Sequence, residues 1–112
     1  MTSSDLYSML LQDLVTVRNT MMTTKWTTAV SQQDGETQLE AVKTAFAVQH
    51  AVNVLSNAAL NDIATQMTAQ EDSIVEATKD LQKSLKNIQQ VSTILDSVAS
   101  LLATAAEIVP LV

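Results

Sequence analysis

Hydrophobic residues recur every seven positions through the second half of the chain, and this spacing predicts helix. One line of them is unbroken over eight repeats: Leu60, Met67, Ile74, Leu81, Ile88, Leu95, Leu102 and Val109. A second line, three residues further on, is mostly apolar: Ile63, Gln70, Ala77, Ser84, Val91, Val98, Ala105 and Val112. Together the two lines form an apolar seam that another helix must cover. The pattern therefore predicts how the chain packs, and leaves its function open.

The same periodicity, read with start and stop signals, predicts three long helices in a single domain over residues 1–112. The predicted elements are a helix over 4–31, a loop over 32–36, a helix over 38–69 and a helix over 73–109. The capping-box pairs that mark the three starts are Thr2/Asp5, Thr37/Glu40 and Ser73/Glu76. Gly35 suits a positive φ in the loop, and Pro110 ends the last helix.

Residues 69–73 decide between two all-α architectures. With a break there, three helices of about 42, 48 and 57 Å fold into an antiparallel up-down-up three-helix bundle, at ~1.5 Å per residue. We expect this arrangement. Without the break, residues 38–109 form one helix of about 108 Å at the same rise. The alternative is therefore a long helical hairpin that dimerises into a four-helix coiled-coil-like bundle.

Composition supports an aliphatic helical core and excludes several functional classes. One glycine and one proline are too few for a β-sheet or loop-rich fold, and 3% aromatic residues leave the core to aliphatic side chains. Six basic against twelve acidic residues, a net charge of −6, argue against nucleic-acid binding. The absence of cysteine excludes disulfides and thiolate chemistry.

The first residues of the chain predict its location. Residues 1–5 lack the basic start and apolar core of a signal peptide. No apolar run reaches the ~18 residues expected of a membrane span. We therefore predict a cytoplasmic protein, with export that needs no cleaved signal peptide as the alternative.

Residue types that could carry chemistry do not occur in catalytic or metal-binding spacings. No carboxylate or second histidine lies three or four residues from His50. The cluster Glu71, Asp72, Glu76 and Asp80 suits the positive end of a helix dipole. A single glycine cannot build the usual phosphate-binding loop. We therefore predict that the protein is not an enzyme and has no cofactor and no metal site.

The candidate interaction surface lies mainly in the C-terminal part of the chain. Between Val91 and Val112 only Asp96 and Glu107 are charged, and apolar positions extend beyond the seam. The candidate residues are Ile94, Val98, Leu101, Leu102, Ala105, Ile108, Val109 and, near the end of the first predicted helix, Trp26. The other two helices, a second copy, a different protein or a bilayer could cover them. Acidic and hydroxyl residues on the polar face disfavour the bilayer.

These observations predict a non-enzymatic helical interaction or assembly protein. It would act through helix–helix contacts with itself, as a homo-oligomer, or with another helical protein. The alternative is a secreted or injected helical protein, a filament subunit or a membrane-active factor, with an apolar C-terminal helix. The acidic, cysteine-free composition, rich in Ser, Thr, Ala and Gln, motivates that alternative.

Overall fold

The chain folds entirely into α-helices. The computed structural model describes residues 1–111, and within them there are six helices and no strand. The helices are α1 (Ser3–Met21), α2 (Thr24–Ser31), α3 (Gly35–Asn57), α4 (Leu60–Ala69), α5 (Glu71–Ser84) and α6 (Val91–Ala106). The all-α class is thus confirmed. The three long helices are not observed as such, because each predicted helix is interrupted. Val112, the last residue of the predicted seam, lies outside the described residues.

The predicted helix over 4–31 is two helices, with a corner at Met22 and Thr23. The Thr2/Asp5 capping box that starts α1 is confirmed. At the corner the Thr23 hydroxyl donates to the Thr20 carbonyl at 2.7 Å and accepts from the Trp26 backbone N–H at 3.2 Å. The side chain therefore satisfies the last turn of α1 and the first turn of α2, which makes a corner favourable without glycine or proline.

Helix α3 begins three residues earlier than predicted, and its cap is a different residue. The N-cap is Asp34, whose carboxylate accepts from the Thr37 N–H at 2.8 Å. The predicted Thr37/Glu40 capping box is therefore wrong as the start of this helix. Gly35 lies in its first turn with a negative φ, so the expected positive φ is wrong as well.

Removing the Asp34 cap should lower the melting temperature modestly. Hydrogen bonds from Thr37, the backbone N–H first, hold the pKa of Asp34 below its ordinary value. A lowered pKa stabilises the fold above the ordinary value, and this contribution is lost as pH falls through the folded-state pKa. We expect Asp34→Ala to melt a few degrees below wild type at neutral pH, with a smaller difference in acid. Asp34→Asn keeps the acceptor and should melt close to wild type. Thermal unfolding followed by circular dichroism tests this, and equal melting of all three proteins would contradict it.

The predicted helix over 38–69 is interrupted at Ala58 and Ala59. Both residues are extended, with ψ of 140° and 123°. Just before them, Ser56 and Asn57 donate side-chain hydrogen bonds to the Asn53 carbonyl, at 3.2 and 2.7 Å. These bonds satisfy an acceptor at the end of α3, so the helix can stop at two residues of high helix propensity.

The break expected near residues 69–73 is present as the boundary between α4 and α5 at Gln70. No side-chain cap starts α5, so the predicted Ser73/Glu76 capping box is wrong. Acidic Glu71 instead lies in the first turn, with its carboxylate 3.5 Å from the ammonium of Met1. The molecule measures 43 × 25 × 19 Å, which excludes the unbroken helix of the alternative architecture.

The predicted helix over 73–109 is also two helices, because the chain reverses over residues 85–90. Ser84 donates to the Asp80 carbonyl at 2.8 Å, and the Asn87 side chain accepts from the Gln89 N–H at 3.1 Å. Beyond this turn α6 returns antiparallel to α5, and the hydroxyls of Ser84 and Ser97 are in hydrogen-bond contact. Helix α6 ends at Ala106, before Pro110 is reached.

Helix α1 is in contact with the other five helices, most extensively with α3, α4 and α5, and α6 packs on α5 and α3. Helices α1 and α3 are antiparallel, and the Tyr7 hydroxyl donates to the Leu55 carbonyl at 2.9 Å. In the first line of the predicted seam, Leu60 to Val109, five of the eight residues are buried, namely Met67, Ile74, Leu81, Leu95 and Val109. Leu60, Ile88 and Leu102 are half-buried. The residues of this line thus face the core, but from α4, α5, α6, the turn over 85–90 and the C-terminal turn.

Candidate interaction surface

The surface predicted from the sequence lies inside the molecule. Seven of its eight residues are buried: Trp26, Ile94, Val98, Leu101, Ala105, Ile108 and Val109. Leu102 is half-buried. The chain's own helices cover the candidate residues of α6, because α6 packs between α5 and α3. In this conformation these side chains are not accessible to a partner, and their role in binding stays a prediction.

A different group of large apolar side chains is exposed. Met22, Leu39, Val42 and Phe46 have exposed fractions of 76%, 55%, 52% and 74%. We call these four residues the Phe46 surface. Phe46 is one of three aromatic residues, and the other two, Tyr7 and Trp26, are half-buried and buried. A protein with so few aromatic side chains exposes one of them almost fully.

Helix α3 presents this surface because it is apolar on two opposite sides. Its inner side contains Ala41, Val48, Ala51, Val52 and Leu55, all buried. Leu39 and Phe46 are seven residues apart, so they lie on one line along the helix. Around the helix axis, each lies about 160–180° from Val48. Val42 lies about 60° to one side of Leu39. One helix therefore packs in the core and displays an apolar stripe on its outer side.

Met22 extends the stripe from α3 to the end of α1. It lies at the corner between α1 and α2, where neither helix covers it. Between Met22 and Phe46 is an open groove of about 300 Å³. The residues that line it are Arg18, Met21, Met22, Val42, Ala45, Phe46 and Gln49. The groove is thus almost entirely apolar, with one charged residue at its edge.

Two basic residues flank Phe46. Arg18 lines the groove on the α1 side. Lys43 is exposed on α3 and lies about 60° around the helix from Phe46, on the side away from the groove. Within residues 1–111 the ion pair observed is between Met1 and Glu71. Neither Arg18 nor Lys43 therefore has a carboxylate partner among the described residues.

The other candidate residues do not form a site of recognisable chemistry. His50 is exposed and lines an open groove of about 670 Å³ with Asn57, Asp62 and Pro110. A second groove, of about 400 Å³ between α5 and α6, is lined mainly by polar side chains, Lys83 among them. Within residues 1–111 no cluster of three or more His, Cys, Asp or Glu could hold a metal ion.

Asp13 is an acidic residue in the core and does not line the groove beside Phe46. Asp13 and Thr78 are each 8% exposed, and the Thr78 hydroxyl donates to the Asp13 carboxylate between α1 and α5. Burial raises the pKa of Asp13, and the hydrogen bond from Thr78 opposes that rise. The pair links α1 to α5 and is largely shielded from solvent, which suits a structural role.

The sequence analysis did not single out the residues of the Phe46 surface. The available signal was the angle between apolar positions: Leu39, Val42 and Phe46 lie on the side of α3 away from Val48 and Leu55. A helix that is apolar on both sides is either enclosed in a core or displays one side to a partner. The structure shows that α3 is not enclosed.

In residues 1–111 no helix combines the length and the apolar character needed to span a bilayer. Comparison with protein-family models, curated proteins and solved structures finds no match to this chain. The function is therefore inferred from the geometry and chemistry of the Phe46 surface.

Proposed function

We propose that the protein is a non-enzymatic interaction protein that binds a protein partner through the Phe46 surface. The observation that carries this proposal is the exposure of Met22 and Phe46, each about three-quarters accessible to water. Burying apolar surface gains about 25 cal/mol per Å². Contiguous exposed apolar surface on a folded protein commonly marks a binding site.

The composition of the surface supports binding and not catalysis. Methionine, valine, leucine and phenylalanine supply no group that transfers a proton or attacks a substrate. They do supply shape and apolar area, and methionine side chains adapt to different partners. Phenylalanine and methionine, both present here, are among the residue types enriched at the cores of protein interfaces.

The regular helix that displays the surface supports helix–helix contact as the mode of binding. Leu39, Val42 and Phe46 are spaced at i, i+3 and i+7 on α3. A partner helix with apolar residues at matching intervals can pack along such a stripe.

Replacing Phe46 with aspartate should abolish partner binding and leave the fold intact. Loss of a central aromatic residue from an interface costs about 2 kcal/mol or more, a decrease in affinity of about 30-fold. Ala47→Asp is the matched control, because Ala47 is exposed on the same helix and lies outside the surface. Proteins retained by each immobilised variant from extract of the source cells are quantified by mass spectrometry.

We expect at least one protein to be retained in stoichiometric amount by wild type and by Ala47→Asp, and to be lost with Phe46→Asp. Circular dichroism should show equal helix content for all three proteins, because Phe46 contributes little to the core. Equal retention by Phe46→Asp and wild type would contradict the proposed function.

A further inference from the structure

We propose that α6 exchanges between two copies of this chain to form a dimer. We call residues 85–90, where the chain reverses between α5 and α6, the hinge. In the dimer the hinge straightens, α5 and α6 become one helix, and α6 of each copy packs on α5 and α3 of the other. This inference goes beyond the proposed function and does not depend on the Phe46 surface.

The heptad phase of the predicted seam continues through the hinge without a shift. Leu81 lies before the hinge, Ile88 within it and Leu95 after it, each seven residues from the next. A turn between two packed helices requires no fixed number of residues. An uninterrupted helix does require one, because each added or missing residue rotates α6 by about 100° relative to α5. The spacing therefore fits a straight helix over 71–106.

The composition of the hinge also favours helix. Its sequence is Leu-Lys-Asn-Ile-Gln-Gln, without glycine or proline, and leucine, lysine and glutamine are good helix formers. Asparagine is a weaker one, and it holds the turn. The Asn87 side chain accepts from the Gln89 N–H, and the Asn87 carbonyl accepts from the Gln90 N–H, both at 3.1 Å.

Straightening the hinge satisfies backbone groups that the turn leaves without a helical partner. Among the described residues no side chain caps the start of α6. The first N–H groups of a helix have no partner within it. In a straight helix the N–H groups of residues 91–93 bond to the carbonyls of residues 87–89. The open form thus gains helical hydrogen bonds at the point where the closed form lacks a cap.

The core contacts of α6 are the same in the monomer and in the proposed dimer. Helix α6 is the last helix of the described chain, and it packs on α5 and α3. Its buried apolar residues are Val91, Ile94, Leu95, Val98, Leu101 and Ala105. In the dimer, α6 of the second copy fills the same space. The balance between the two states therefore depends on the hinge and on the entropy of association.

The dimer also covers the hinge itself. Ile88 is half-buried in the monomer, and in a straight helix it lies on the seam and needs an apolar neighbour. The contact between Ser84 and Ser97 shows the antiparallel register of α5 and α6. Continued across a two-fold axis, this register places Ile88 of each copy within about 3 Å, along the helix axis, of Val91 of the other. Two apolar residues thus meet where the hinges cross.

The first experiment locates α6 with a disulfide bond. The chain contains no cysteine, and the side chains of Ser84 and Ser97 touch between α5 and α6. In the variant Ser84→Cys/Ser97→Cys the bond forms within one chain in the monomer and between two chains in the swapped dimer. The protein is refolded at about 1 mM and at about 10 μM, oxidised, and separated on a denaturing gel without reductant.

We expect covalent dimers after refolding at the higher concentration and covalent monomers at the lower one. A dimer formed through any other surface, the Phe46 surface included, has its bonds within each chain and separates on the gel. The single variants Ser84→Cys and Ser97→Cys control for random crosslinking and should form few covalent dimers. Adding Phe46→Asp to the cysteine pair should leave the covalent dimer unchanged.

The second experiment varies the hinge. Asn87→Ala and Asn87→Gly both remove the side-chain acceptor of the turn, and they differ in helix propensity. Because a dimer contains two straightened hinges, the dimerisation constant of Asn87→Ala should exceed that of Asn87→Gly about 30-fold. Size-exclusion chromatography with light scattering measures it after warm equilibration of each variant.

A proline in the hinge should prevent the exchange. Ile88 is the second residue of the turn that starts at Asn87, a position that favours proline after asparagine. A proline there blocks a straight helix through the hinge. Ile88→Pro in the cysteine pair should therefore give covalent monomers at both concentrations.

The inference is overturned if Ser84→Cys/Ser97→Cys, alone and with Asn87→Ala, gives covalent monomers only. Equal dimerisation of Asn87→Ala and Asn87→Gly would contradict it too, and so would covalent dimers that persist in Ile88→Pro. None of these results bears on the Phe46 surface. The proposed function fails separately, through the retention experiment with Phe46→Asp.

Discussion

Replacing Leu81 with aspartate should unfold the protein at neutral pH. Leu81 is 1% exposed in α5, inside the core formed with the other helices. The variant loses the aliphatic contacts and buries an unpaired carboxylate, which together cost more than about 5 kcal/mol. A domain of this size has a net stability of about 5–15 kcal/mol, so most or all of it is lost. Far-UV circular dichroism should show loss of helical signal and of a cooperative melting transition.

Gln82→Asp is the matched control for this variant. It introduces the same carboxylate at the next position, where the side chain is exposed. The added acid lies near the C-terminal end of α5 and should cost less than about 1 kcal/mol. A Leu81→Asp protein with wild-type helix content and melting temperature would contradict the core position of Leu81.

The fold class could be predicted because periodicity and composition agree. The heptad spacing placed Met67, Ile74 and Leu81 on a face that needs covering, and the structure buries all three. One glycine and one proline left few positions at which strands and turns could form. The heptad spacing and the low glycine and proline content each depend on many residues, so a few exceptions do not change the predicted fold class.

The interruptions of the helices could not be predicted by the same means. The breaks near Thr23, Ala58 and Leu85 contain neither glycine nor proline. At the first two, threonine, serine or asparagine side chains satisfy backbone groups at the helix end. Those residue types also occur inside helices of this chain, for example Thr16 and Thr44. Packing decides which of them end a helix, and packing is a property of the whole fold.

The burial of the candidate residues after Val91 was not foreseen, for a related reason. The predicted helix over 73–109 has no reversal, so the covering of the apolar residues after Val91 stayed open. The reversal at residues 85–90 lets α6 pack against α5 and α3. Helix α3 packs on α1, α2 and α6, and Phe46 lies on a side that these helices leave exposed. Apolar residues on two sides of a helix are visible in the sequence, but the side that stays exposed depends on where the neighbouring helices end.

Thr78→Val should destabilise the protein strongly at neutral pH and less in acid. The substitution keeps the shape of the side chain and removes the hydroxyl that donates to the buried Asp13 carboxylate. A hydrogen bond to a charged group contributes about 1.5–3 kcal/mol, and the carboxylate that remains is buried without this donor. Urea unfolding at about pH 7 should show a loss of this size.

The pH dependence follows from the direction of the Asp13 pKa. Burial raises this pKa above its value in the unfolded chain, so the folded state takes up a proton first as pH falls. The ionised carboxylate therefore costs stability at neutral pH, and this cost disappears as pH falls through the raised value toward the ordinary one. Thr78→Val raises the pKa of Asp13 further. The difference in unfolding free energy between variant and wild type should thus be smaller at about pH 4 than at about pH 7.

Thr104→Val is the control that separates this charge effect from the loss of any buried hydroxyl. Thr104 is 9% exposed, and its hydroxyl donates to the Ser100 carbonyl of its own helix at 3.0 Å, with no carboxylate involved. Its cost should be small and independent of pH. The double variant Asp13→Leu/Thr78→Val removes both polar groups together and should recover much of the stability lost in Thr78→Val. A pH-independent deficit in Thr78→Val would show that Asp13 is not the group that titrates, and that α1 and α5 are held together without its charge.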